Sequence, residues 1–169
     1  MQTAAATLQI RPTPLTREAF APFGDVIEMQ PGGGYAINGG TSWRWDDVAA
    51  LDLTREGGQP LLSLFRTEPC QLPLTIAFLE RHPLSSQAFV PLSQRPFLVV
   101  VAPPGEQIKP SDIRAFLTAP GQGVNYAAGV WHHPLLALHS SSDFAVLGRR
   151  GPDENCDLHH FDHPITLVQ

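Results

Sequence analysis

A chain of 169 residues with 43% hydrophobic and only 16% charged positions can bury one good core and is short for two, so residues 1–169 are expected to form a single domain. The formal charge of −5 leaves no basic face on which a phosphate backbone could shed counterions, which excludes a nucleic-acid partner and favours a small-molecule one. Residues 1–9 hold no cationic and apolar leader, and no window reaches the ~20 apolar residues that span a bilayer, so a cytoplasmic protein with no membrane partner is expected.

The 17 prolines and 14 glycines are spread along the whole chain, a pattern of short strands joined by tight turns, which predicts an all-β fold. In chain order, Thr16 caps a short helix that Pro22 and Gly24 stop. Residues 25–28 and 35–38 read as strands on either side of the Pro31-Gly32-Gly33-Gly34 break. Residues 43–53 are amphipathic but short, a loop or partial helix. From Leu61 onward, residues 61–65, 72–79, 87–92 and 97–102 are apolar or alternating runs punctuated by Pro69, Pro83, Pro96 and Pro103-Pro104, the mark of successive antiparallel strands. Residues 111–117 fit either a capped helical turn or a strand. Further strands are expected at 123–126, 131–138 and 143–147, with a surface tail after Gly151-Pro152. A set of this kind avoids open edges by closing into a barrel or jelly roll.

Glu80 and His82 stand two apart at the end of the strand that begins at Leu72, so both side chains leave one face. Gln87 follows across the Pro83 break, where a returning strand brings it beside them. Imidazole, carboxylate and amide oxygen together make an open metal site suited to nickel, zinc, copper or iron. A second cluster is Trp131-His132-His133-Pro134, in which adjacent histidines face opposite ways and at most one joins the first group. A small 2-hydroxy acid would need a cation for its carboxylate, and Arg66 and Arg114, each beside an apolar strand segment, are the candidates. His139, His159, His160 and His163 have no second ligand at a convincing interval. Cys70 and Cys156 are read as two reduced thiols, with Asp153 and Glu154 raising the pKa of Cys156.

These motifs carry a resemblance. The runs Ile37-Asn38-Gly39-Gly40, ERHPLSSQAFVPL from Glu80, Arg114-Ala115-Phe116, GVNYAAGVWHHPL from Gly123, and Asp143-Phe144 are together similar to the ureidoglycolate lyase family, over residues 15–157. The resemblance implies a cupin-like β-barrel, a homodimer, and cleavage of (S)-ureidoglycolate to glyoxylate and urea in allantoin catabolism. The cupin metal pattern is His-x-His-x4-Glu plus a later histidine. Here Glu80, His82, Gln87 and His132 occupy those places, which implies a weak or exchangeable, stimulatory Ni2+ site and no organic cofactor.

On the same footing, His132 or Glu80 would be the base at the substrate hydroxyl, with His82 or water as the acid. Arg66 or Arg114 would hold the carboxylate, and Asn38, Asn125 and Tyr126 would read the ureido group. The rival readings are a ureidoglycolate amidohydrolase releasing ammonia and a non-catalytic cupin that binds a small 2-hydroxy or ureido acid.

Overall fold

The computed structural model describes residues 8–169, so nearly all of the 1–9 stretch read above for an export signal lies outside the described residues. Its strands are β1 (Gln9–Ile10), β2 (Thr13–Pro14), β3 (Gly24–Ile27), β4 (Tyr35–Ile37), β5 (Ser42–Arg44), β6 (Gln59–Thr67), β7 (Leu74–Arg81) and β8 (Gln87–Pro91). Then come β9 (Phe97–Ala102), β10 (Arg114–Leu117), β11 (Gly123–Tyr126), β12 (Trp131–His132), β13 (Leu136–Ala137), β14 (Ser142–Arg150) and β15 (Asp157–Leu167). The one α-helix among the described residues, α1 (Arg17–Phe20), begins as predicted, with the Thr16 hydroxyl accepting from the Ala19 amide.

An eight-stranded sheet runs β1-β15-β7-β12-β9-β10-β2, with β13 also paired to β9, and it packs against a five-stranded sheet ordered β3-β11-β8-β14-β6. The expected all-β, cupin-like barrel is therefore present. Strand β9 explains how the two sheets share a core. All six of its residues are buried, and alternation sends Phe97, Val99 and Val101 between the sheets while Leu98, Val100 and Ala102 go to the outer face. The inner cluster adds Phe89, Phe116, Val124, Tyr126, Phe144 and Val146, with Phe97 and Phe144 packed edge to face at 5.1 Å.

Two expectations about elements change, and two left open are decided. The segment after Gly151 is not a surface tail: β15 pairs with β7 from Asp157↔Arg81 to Leu167↔Leu74, and Ile165 and Leu167 are buried in the outer cluster. Residues 43–53 hold no helix, and their start belongs to β5, which pairs with β4 in a separate hairpin. Residues 131–138 form two short strands rather than one, because Pro134 has no amide to donate to a ladder. Residues 111–117 are both alternatives in succession, a 3-10 turn over Pro110–Asp112 and then β10.

Candidate active site

Glu80 and His132 face each other as a register pair between β7 and β12, and their side chains point between the sheets. His132 is 1% exposed, its ring stacked on Tyr126 at 4.2 Å and 14°. His82 follows β7 by one residue, with its ring 5.2 Å from that of His132. The Gln87 amide, at the start of β8, lies 3.1 Å from His82 Nε2. Ligand atoms of Glu80, His82 and His132 all fall within 4.8 Å of one another. The structure thus brings together Glu80, His82, Gln87, His132 and Tyr126, and of the two adjacent histidines it is His132 that turns inward.

The protons of this group are fixed from behind. His82 Nδ1 is 2.6 Å from the Asn155 carbonyl and His132 Nδ1 is 3.0 Å from the Val130 carbonyl. A carbonyl only accepts, so each Nδ1 donates and each Nε2 is left with its lone pair; that of His82 faces the Gln87 Oε1 oxygen, acceptor to acceptor, as two ligands of one cation would. Burial pushes His132 below the ordinary imidazole pKa and keeps it neutral. His132 Nε2 lies 3.4 Å from Glu80 Oε1, yet it is buried and makes no hydrogen bond among the described residues. Acceptor faces acceptor, and a buried polar atom goes unpaired. Two Nε2 lone pairs, an ionised carboxylate and the Gln87 amide are a donor set that a divalent cation satisfies, with each ring's other nitrogen tied down as metal-binding histidines require. The residues fit a metal.

Two clefts open onto the group. One, of about 390 Å³, is lined by His82, Gln87, Cys156 and the strand end at Gly148, Arg149 and Arg150. The other, of about 370 Å³, lies by Glu80, Gln87, Phe65 and Pro134.

Four candidates are either distant from the group or held by other partners. Arg66 lines the rim of the second cleft, but both its Nε and its Nη2 are held by Asp143 at 2.7 and 2.9 Å. Arg114 is reached from Glu80 through His132 and Val101, three strand spacings or about 14 Å, and donates to the Ser111 and Ile113 carbonyls. Asn125 points opposite to Val124 and Tyr126, and its amide holds Asp25 and the Ala50 carbonyl. Asn38 is exposed at the tip of the β4–β5 hairpin.

Sequence reasoning missed Arg149, Arg150, Asn155 and Cys156. Arg150 falls on the inward face by alternation with Val146 and Gly148, and it makes no ion pair among the described residues. Arg149 is strapped by the carbonyls of Arg55 and Glu56 at 3.0 Å each. Cys156 Sγ lies 4.0 Å from Glu80 Oε2, and burial, then Glu80 and Asp157, raise its thiol pKa. The direction is the expected one, though its causes are not Asp153 and Glu154. No local pattern links this segment to His82. Only the alternation continuing through Val146, Gly148 and Arg150 hinted at it.

Comparison with known proteins agrees with the geometry. The family model described as ureidoglycolate lyase matches residues 7–168. A ureidoglycolate lyase of Burkholderia mallei (strain NCTC 10229) is 58% identical over 162 residues, covering 96% of this chain and 94% of that protein. One from Burkholderia cepacia is 54% identical over 144 residues, covering 85% and 81%. One from Pseudomonas fluorescens (strain SBW25) is 46% identical over 162 residues, covering 96% of both.

Proposed function

Because the chain belongs to the ureidoglycolate lyase family, we propose that it cleaves (S)-ureidoglycolate to glyoxylate and urea at the Glu80, His82, His132 group. The observation that carries this is the convergence of an ionised carboxylate and two imidazole lone pairs at the wall of a cleft sized for a small acid.

Ureidoglycolate is a carbinolamide, so cleavage requires loss of the hydroxyl proton, scission of the carbon–nitrogen bond and a proton for the departing urea nitrogen. The Glu80 carboxylate takes the hydroxyl proton. His132 is buried and neutral, and with Tyr126 stacked on it forms a fixed apolar wall behind the carboxylate. The proton for urea comes from water on the His82 side of the cleft, since the one proton of the neutral His82 ring is turned away on Nδ1. The substrate carboxylate turns toward Arg150 at the mouth, since Arg66 is already paired with Asp143 and Arg114 lies three strands away. A divalent cation held by Glu80, His82, Gln87 and His132 would polarise the hydroxyl and lower its pKa. Nickel is our reading for that ion, since the imidazole-rich donor set suits it.

The remaining parts of the proposal are one catalytic domain, a cytoplasmic setting and a homodimer. The free thiols Cys70 and Cys156 support the setting. The outer face of edge strand β6, with Leu62 68% and Leu64 75% exposed, supports the dimer. The test is to follow urea, ammonia and glyoxylate separately from racemic ureidoglycolate with chelator-treated protein, with and without nickel. Urea and glyoxylate in equal amounts are expected. Ammonia in place of urea would instead indicate the amidohydrolase, and no product a binding protein.

A further inference from the structure

Asn155 meets the His82 turn at three points from 73 residues away. Its main-chain carbonyl accepts from His82 Nδ1, its Oδ1 accepts from the Leu84 amide at 2.7 Å, and its Nδ2 donates to Ser85 Oγ at 2.8 Å. Residues 151–154 before Asn155 are all exposed, and the ladder with β7 resumes only at Asp157, so the clamp is what ties Asn155 itself to the His82 turn. The side chain is matched to the task. An amide offers one acceptor and one donor, and the turn presents one N–H and one hydroxyl.

We infer that Asn155 is a positioning residue for the reaction, whose side-chain clamp seats its own carbonyl on His82 Nδ1 and so commits the His82 Nε2 lone pair to the catalytic group. This rests on the assignment of Glu80, His82 and His132 made above, and it adds a third stretch of chain to the two that carry those side chains. The carbonyl plays for His82 the part that the Val130 carbonyl plays for His132. The difference is that Val130 lies on the same segment as its histidine, whereas the His82 partner is supplied by a distant loop and depends on the clamp.

The experiment reads the tautomer directly, by long-range proton–nitrogen correlation spectra of histidine-labelled, metal-free protein, and separately titrates nickel into the same samples by calorimetry. Wild type should show His82 protonated on Nδ1 alone. In Asn155→Ala, which removes both arms of the clamp, His82 should become a tautomer mixture and nickel affinity should fall about 10–100-fold. Asn155→Asp keeps the acceptor for the Leu84 amide, and the Ser85 hydroxyl can turn to donate, so it should recover the wild-type tautomer and most of the affinity.

The inference is overturned if wild-type His82 carries its proton on Nε2, a result that needs no variant to fold. It is overturned equally if Asn155→Ala keeps the wild-type tautomer and affinity, or if Asn155→Asp does no better than alanine. Should the tautomer shift as expected while His82→Ala and His132→Ala retain full turnover, the clamp stands and the catalytic assignment falls instead.

Discussion

Replacing Glu80 by glutamine changes one carboxylate oxygen to an amide nitrogen at nearly constant volume, so the packing against β12 is kept. In the native protein His132 Nε2 is buried 3.4 Å from Glu80 Oε1 and has no hydrogen bond among the described residues. In Glu80→Gln the new side-chain amide would bring an N–H to that lone pair, a gain of about 1 kcal/mol. At this chain length that corresponds to a rise in Tm of roughly 2–4 °C for the metal-free protein. Activity should move the other way. Loss of the base costs about 10²–10⁴-fold in kcat, read as urea and glyoxylate release with the substrate saturating. Turnover within tenfold of wild type would refute Glu80 as the base. A Tm several degrees below wild type would refute the claim that carboxylate and imidazole face each other as two acceptors.

Arg150→Ala should raise KM by about tenfold or more, as expected for a lost charged hydrogen bond, whereas Arg66→Ala and Arg114→Ala should leave it within about twofold; steady-state kinetics separate the three. Leu167→Ala removes a fully buried side chain from the outer cluster and should destabilise the protein by about 2–5 kcal/mol, measured by urea unfolding, with no change in kcat for the folded fraction. The Cys156 thiol, raised by burial and by Glu80, should react with iodoacetamide more slowly at pH 7 than a free thiol and speed up as pH rises. Since a nearby carboxylate raises that pKa, Glu80→Gln should lower it and increase the rate at pH 7, a shift visible by mass spectrometry of the modified protein.

What could be read in advance divides along physical lines. The unbroken apolar run of β9 and the two-residue spacing of Glu80 and His82 are local, so the sequence carries them, and the strands they imply are present. Arg66 escapes such a reading because β6 is an edge strand with apolar residues on both faces, Leu62 and Leu64 outside and Leu61 and Phe65 inside, which erases the parity that would have assigned it a face. Asn125 fails for a related reason. It is 1% exposed, but beneath the 46–52 loop rather than inside the barrel. Strand β15 is hidden by its composition: four polar or histidine positions and Pro164 fall around a register break between His160 and Ile165, so no clean period survives. Asn155 and Arg150 act across seams closed by β14 and β15, and a contact spanning 73 residues leaves no trace in spacing.

The pairing of β7 with β15 also sets a schedule for the newborn chain. His159 bonds opposite Leu79, so about 80 residues must be synthesised after one edge of β7 leaves the ribosome before its partner exists. At roughly 5–20 residues per second that is an interval of about 4–16 s. Through that interval the strand carrying Glu80 has an unpaired ladder and exposed Ile76 and Leu79, a surface open to the wrong neighbour. Yield in the cell should therefore depend on how the codons of β15 are translated as well as on how stable the finished barrel is.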